Sequence, residues 1–331
     1  FSRCFLIPNI IIAIPSLSLK KREHIISKIL PLALNVSSLP NKDELLDNKV
    51  TIEDIREIEL ADIFKRNISK IKYKYLKNFT NASILVTGGA GSIGSELCRQ
   101  LIILKPKTIV LVDHDETALF NICREINNYK IELIPILGSV VDDKFMRNII
   151  STHKIDHIFH AAAYKHVEML EYNIIKAIEN NIFGTLSILK GLSNNKVKTL
   201  TIISTDKAAQ PKNILGLTKR VSEIIAENFF SSNYMLNTKL SIVRFGNVFA
   251  SQGSAIQLFC EQIKKGGPIT ITDFRARRYF MSIKEACNLV LQSCHLKNKN
   301  KIFLLRMGRS IKIIDIIKKL ISLLRYNDKE I

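Results

Sequence analysis

The sequence predicts an α/β chain on a doubly wound parallel sheet, with a partial α/β region ahead of the sheet and a smaller, irregular portion at the C-terminal end. Three observations carry this. From Ala82 onward, continuous apolar runs of strand length alternate with stretches whose apolar residues recur at helical spacing, the order that covers a parallel sheet on both faces. The first run, Ile84 to Thr87, passes straight into Gly88, Gly89, Gly91 and Gly94 and then into the helix-periodic Ile93, Leu97, Leu101 and Leu104. The second run, Thr108 to Val112, is followed at once by an acid, Asp113.

Residues 1–80 read as a separate region without a glycine fingerprint. Asn9 to Pro15 has the pattern of a buried strand, Lys20 to Leu34 of a helix, Leu34 to Leu39 of another strand, and Glu53 to Phe64 of an acidic segment with short helical character. Residues 81–331 carry the main sheet. Its strands are expected at Ser83 to Thr87, Thr108 to Asp113, Ile131 to Leu137, Ile155 to His160, Val197 to Ser204 and Lys239 to Phe245. Helices are expected at 92–104, 115–128, 142–152, one long helix at about 173–194, and one from near Asn213. The remainder, mainly 246–331, is less regular and reads as a small substrate-binding portion.

The glycine turn is built for a dinucleotide. Gly88 permits a sharp exit from the strand, Gly91 removes the Cβ that would hold a pyrophosphate off the backbone, and Gly94 lets the helix pack close. Ser92, Ile93 and Gly94 then open a helix whose first amides can face phosphates. Asp113, nineteen positions after Gly94, can bind the adenosine ribose hydroxyls and would repel a 2′-phosphate, so the expected cofactor is NAD. This makes the sheet a Rossmann sheet, and the TGGxGxIG spacing points to the short-chain dehydrogenase branch.

Ligands of such sheets sit beyond the carboxyl ends of the strands. After His160 come Ala161, Ala162 and Ala163, small enough for backbone to lie against the nicotinamide ribose, and then Lys165 and His166, directed toward a substrate. After Ile203 come Ser204, Thr205, Asp206 and Lys207. A hydroxyl, a carboxylate and an amine side by side supply a donor, an acid and a base, which suits an elimination. Lys219 falls on the next helix, where it can reach the nicotinamide ribose. Four residues before it, short-chain dehydrogenases usually place Tyr; here stands Leu215, which can neither give nor take a proton.

Composition narrows the classes. The chain has 331 residues, 47% of them hydrophobic, enough for one large or two modest cores. No apolar stretch reaches the roughly 18 to 20 residues that span a bilayer, because Cys4 to Leu19 is interrupted by Pro8, Asn9 and Pro15. The chain starts at Phe1 without a basic leader, which reads as a fragment or processed product. Six cysteines lack metal-type spacing, so no metal is expected and a reduced, cytoplasmic compartment fits. The net charge of +19 comes from lysines scattered through every segment, without the basic stripe interleaved with aromatics that a nucleic acid would need.

TGGAGSIGSELCRQL, HAAAYKHVEMLE, STDKAAQPKNILGLTKR, VRFGNVFASQGSAIQLF, GGPITITDFRARRYFM and IFLLRMGRSIKIIDIIKKL together resemble the bacterial polysaccharide-biosynthesis nucleotide-sugar 4,6-dehydratases, the large membrane-anchored branch of the extended short-chain dehydrogenases. The resemblance implies a UDP-N-acetylglucosamine 4,6-dehydratase: Asp206 protonates the departing C6 hydroxyl, Lys207 removes the C5 proton, Thr205 bonds O4, and Lys219 binds the ribose. It places Asn247 and Arg278 at the substrate diphosphate. It also implies a UDP-sugar substrate, a homo-oligomer, and a membrane contact only through segments outside this chain. Ser139 and Arg306 stand where the family usually has Asp, and Leu215 where it commonly has Met. Two rival readings follow: a C4 epimerase or reductase on the same scaffold, which would need the Tyr that Leu215 replaces, and an NAD-binding scaffold without turnover.

Overall fold

The computed structural model describes residues 7–14, 17, 19–29, 33–39, 56–57, 73–127, 129, 131–193, 195–232, 237–249, 253–271, 273–294, 296 and 301–324. The chain divides into two compact units, one formed by Ile71–Gly246 with Ile283–Met307, the other by Phe1–Lys70, Asn247–Ser282 and Gly308–Ile331.

The first elements are β1 (Ile7–Ile12), α1 (Leu19–Ile29), β2 (Ala33–Ser38) and β3 (Arg56–Glu57). β1 and β2 pair in parallel, and Ile12, Ile26 and Val36 form a small core. Of Glu53 to Phe64, expected to be helical, only Arg56 and Glu57 are described. They form a strand antiparallel to Ser37 and Ser38, where the backbone groups along the edge of β2 outweigh local helical preference. The rest of that segment lies outside the described residues.

The sheet unit runs through β4 (Ser83–Thr87), α2 (Ser92–Ile103), β5 (Thr108–Asp113), α3 (Glu116–Ile126), β6 (Glu132–Leu137), α4 (Asp143–Thr152) and β7 (His157–His160). It continues with α5 (Val167–Tyr172), α6 (Ile174–Ala177), a π-helical segment Ile178–Phe183, α7 (Gly184–Leu192), β8 (Thr199–Thr205), α8 (Ile214–Ser232) and β9 (Lys239–Phe245). The chain then forms β10 (Asn247–Val248), α9 (Ala255–Lys264), β11 (Arg277–Arg278), β12 (Phe280–Met281), α10 (Ile283–Ser293), β13 (Lys301–Leu304), β14 (Ile311–Lys312) and α11 (Ile313–Leu324).

Seven strands in the order β13-β9-β8-β7-β4-β5-β6, every pair parallel, make the central sheet. Strand order reverses between β4 and β7, the switch point at which ligands of doubly wound sheets sit. The period of two along each strand divides the core. Leu85, Val110, Ile158, Leu200 and Ile242 pack with Met146 and Ile149 of α4, Ile188 of α7 and Ala226 of α8. On the opposite face Phe159 meets Phe79, and Thr201 meets Cys294 just beyond α10. Asp115 and Asp142 cap α3 and α4 by accepting the amides of Ala118 and Phe145, satisfying donors that a helix start leaves open.

The long helix expected over about 173–194 is present as one continuous helical run, α6, the π-helical segment and α7, from Ile174 to Leu192. The π-helical turn sits where Asn181, fully buried, turns its amide group to the backbone of Tyr164 and to Thr218. In the other unit, Phe249, Ile256, Phe259, Phe280, Ile316 and Leu320 build a core in which the rings of Phe249 and Phe280 stack at 5.0 Å. β10 pairs parallel with β12, and β11 antiparallel with β14. No helix among the described residues is long and apolar enough to cross a membrane.

Candidate active site

The glycine turn leaves β4 with Gly88 in the left-handed region, φ +64°. A Cβ on Gly88 would lie 2.7 Å from the Ala162 backbone, and one on Gly94 would lie 2.0 Å from the Gly88 carbonyl oxygen. Both clearances are closed by protein. Gly91 differs: a Cβ there would meet only the Gly88 carbonyl oxygen, at 3.3 Å, so its open side is free for a ligand to approach the backbone. Gly91 also begins α2 without a side-chain cap, which leaves the first-turn amides around Ser92, Ile93 and Gly94 in the geometry that receives phosphate. These features fit a dinucleotide.

Asp113 ends β5 at 8% exposure and ties this turn to its own loop. Its Oδ2 accepts from the Ala90 amide at 2.9 Å and its Oδ1 from the Asp115 amide at 3.1 Å. A carboxylate has about four acceptor positions, so capacity remains for ribose hydroxyls. Ser139 follows β6, exposed, its hydroxyl accepting the Val141 amide.

Ala161, Ala162 and Ala163 leave β7 half-buried, and the Ala161 amide donates to Thr87. Lys165 and His166 lie further out and are exposed. Partial desolvation still lowers the Lys165 ammonium pKa. At the end of β8 the chain enters a 3₁₀ turn, Asp206–Ala208. Two groups converge there on one atom, Asp206 Oδ1: Thr205 Oγ1 donates at 3.0 Å and Lys207 Nζ at 3.2 Å. The Lys207 amide in turn donates to Thr205 Oγ1.

The start of α8 is held against this turn, since a Cβ on Gly216 would lie 2.7 Å from the Lys207 carbonyl oxygen. Lys219, one turn further, is 4% exposed. Burial pushes its pKa down to about 8, with the Glu223 charge opposing the fall. Leu215 is buried beside Leu170, Ala177, Val167 and Ile214. His160, behind the alanines, bonds Thr87 through Nδ1 and Thr185 through Nε2. Because the Thr185 hydroxyl donates to the Asn181 carbonyl, His160 donates from Nε2, and since burial pushes its pKa down to about 3 the neutral ring accepts at Nδ1 from Thr87.

The sheet unit therefore brings together the glycine turn, Asp113, the three alanines, Thr205, Asp206, Lys207 and Lys219 along the carboxyl ends of β4, β5, β7 and β8. Asn247 and Arg278 belong to the other unit. There Asn247 aligns with Phe280 across the strands, and Arg278, exposed, donates from Nη1 to the Arg277 carbonyl at 2.9 Å. Arg306, in the sheet unit, is exposed. Asn181 and Glu223 were not singled out in the sequence. The only signal for Glu223 was its helical spacing from Lys219 and Arg220.

Residues 84–331 match the family described as "Polysaccharide biosynthesis protein". The chain is 38% identical to the capsular polysaccharide biosynthesis protein CapD of Staphylococcus aureus over 99% of its length, and it spans about half, 55%, of CapD. It is 35% identical to a UDP-glucose 4-epimerase of Rickettsia rickettsii, over 68% of this chain and 66% of the epimerase. The solved structure of Pen from Bacillus thuringiensis is 31% identical and superposes with a TM-score of 0.71, covering 75% of this chain and 76% of Pen.

Proposed function

The chain belongs to the polysaccharide biosynthesis protein family, and from that premise we propose that it is an NAD-dependent nucleotide-sugar 4,6-dehydratase acting on UDP-N-acetylglucosamine or a close UDP-amino sugar. The observation that carries the reading is the convergence of Thr205 and Lys207 on Asp206 Oδ1 at the end of β8, beside a helix that offers Leu215 where a proton-transferring Tyr would stand.

The glycine turn, Asp113, Ala161 to Ala163 and Lys219 hold NAD, which when bound supplies reversible hydride acceptance. The remaining chemistry belongs to the chain. On a 4-keto sugar the C5 hydrogen is acidic; Lys207 takes it while Asp206 protonates the departing C6 hydroxyl, so that water leaves and a C5–C6 double bond forms, and Lys207 gives its proton back to C5 when the hydride first taken from C4 returns to C6. The 3.2 Å contact between Lys207 Nζ and Asp206 Oδ1 links this acid and base directly. One proton moved across it turns an ion pair into the neutral amine and carboxylic acid that the elimination needs. Thr205 orients Asp206 and can pass a hydrogen bond to O4. Lys165 and His166 bind further groups of the UDP-sugar. A reduced, cytoplasmic setting suits the free Cys98, Cys287 and Cys294, all buried.

The similarity to the rickettsial epimerase favours one second reading, a C4 epimerase. Incubation with NAD and UDP-N-acetylglucosamine, followed by NMR, separates the two: the dehydratase yields a 4-keto-6-deoxy sugar with the C6 methyl signal, the epimerase an inverted C4 hydroxyl with C6 intact. Absence of the methyl product in the presence of the inverted sugar overturns the dehydratase.

A further inference from the structure

Glu223 of α8 is fully buried, at 0% exposure. It meets four donors from β8, β9 and its own helix. Oε1 accepts from Ser204 Oγ at 2.6 Å and from Arg244 Nε at 2.8 Å, and Oε2 accepts from Arg244 Nη2 and from Arg220 Nη1 at 3.1 Å. Burial pushes its pKa up, but the hydrogen bonds from Arg244, Ser204 and Arg220 outweigh burial and hold the carboxyl below its ordinary range. An ionised carboxylate out of water is tolerated only with pairing this complete.

The four donors come from residues next to the candidate site. Ser204 is bonded directly to Thr205, and Arg220 to Lys219. Arg244 stands two residues before Gly246, where a Cβ would lie 2.8 Å from Asp206 Oδ2. One buried anion thus ties the strand that delivers the acid and base, the neighbouring strand that walls Asp206, and the helix that carries Lys219.

We propose that Glu223 is a positioning residue, which fixes the register of the Thr205–Asp206–Lys207 turn against the Lys219 helix without touching substrate. The proposal rests on the dehydratase reading of that turn. It separates Glu223 from an ion pair that merely stabilises the fold, because it requires the geometry of the turn itself to depend on Ser204 and Glu223.

Glu223→Gln keeps the shape but strands Arg244, and this variant can fail to fold. Ser204→Ala removes one hydrogen bond and leaves both arginine pairs in place. For both variants, amide hydrogen exchange of peptides covering 204–209 is read by mass spectrometry on the unliganded protein, together with kcat and KM for UDP-N-acetylglucosamine normalised to NAD-binding sites. For Ser204→Ala we expect about tenfold faster exchange at 205–209, the equivalent of one lost hydrogen bond. The peptide over the glycine turn should be unchanged, kcat should be lower by about tenfold, and KM within twofold of wild type. Exchange at 205–209 within twofold of wild type overturns the proposal, as does faster exchange with unchanged kcat, which would make the network structural only. If the wild-type chain makes no 4-keto product, the dehydratase reading falls on that result, and the exchange measurement alone decides whether Glu223 positions the turn.

Discussion

Asp206 Oδ1 is the atom through which the proposed acid and base communicate, so substitutions on either side of it should have different consequences. Lys207→Ala removes the base: dehydration should fall by about 10² to 10⁴, the usual scale for loss of a general acid or base, and C5 proton exchange with deuterated solvent should disappear. Asp206→Asn keeps the base while losing the acid, so water loss should slow while some C5 exchange survives. Solvent-deuterium incorporation measured by NMR separates them, and normal turnover by Lys207→Ala would move the base to Lys165 or His166. Leu215 calls for the opposite expectation. Buried among Leu170, Ala177, Val167 and Ile214, it carries no group that can give or take a proton, and Leu215→Met should cost less than about 1.5 kcal/mol and leave turnover within twofold. Leu215→Tyr brings a hydroxyl into that apolar cluster and should lower both the melting temperature and the rate. A wild type without product that Leu215→Tyr awakens would overturn the dehydratase.

At the scale of elements, two glycines with superficially similar clearances predict different outcomes. A Cβ on Gly94 would sit 2.0 Å from the carbonyl oxygen of Gly88 and 2.8 Å from the Gly89 Cα, both backbone atoms. A Cβ on Gly191 would sit 2.5 Å from Ile150 Cδ1, the far end of a flexible side chain. Gly94→Ala must therefore push α2 off the turn, with an overpacking cost of about 1–3 kcal/mol and loss of NAD binding by calorimetry. Gly191→Ala should let Ile150 rotate and bind NAD as wild type does; equal losses in the two variants would show that the turn does not depend on close packing. The same contrast explains what the sequence makes legible. β4 and β5 are near-continuous apolar runs because central parallel strands are covered on both faces, and the glycine turn shows itself because backbone approach admits nothing larger. The π-helical turn between α6 and α7 is not legible in the sequence, since Asn181 is turned inward by Tyr164 and Thr218, partners far along the chain. Glu223 was equally opaque. Beside Arg220 it reads as a surface pair three residues apart, and only the arrival of Arg244 from β9 makes it a buried one.

For the molecule as a whole, the consequence of burying these polar groups is a dependence of stability on pH, and His160 gives it a signature of its own. Its ring closes the end of β7 onto Thr87 at the end of β4 and Thr185 in α7. Burial, with the charge of Lys219 adding to it, pushes its pKa down to about 3 from the ordinary 6.5. The unfolded chain binds a proton there that the folded chain refuses, so the contribution is present above pH 6.5 and is lost as pH falls toward 3. One proton taken up on unfolding corresponds to a slope of about 1.4 kcal/mol per pH unit. Between pH 6.5 and 4.5 His160 should therefore account for about 2 to 3 kcal/mol of lost stability. The paired carboxylates contribute mainly below that window, because the ordinary carboxyl value of the unfolded chain lies near 4. His160→Asn substitutes a side chain that does not titrate. It should unfold at lower urea at pH 7, where a fitted hydrogen-bonded ring has been lost, yet its stability should fall less steeply between pH 6.5 and 4.5 by about one proton equivalent. The offset between wild type and variant reports packing and the difference in slope reports the proton, so the two effects separate in one series of urea titrations. Parallel pH profiles would mean that the folded protein accepts the proton on His160, and that the hydrogen bonds from Thr87 and to Thr185 do not hold the ring neutral.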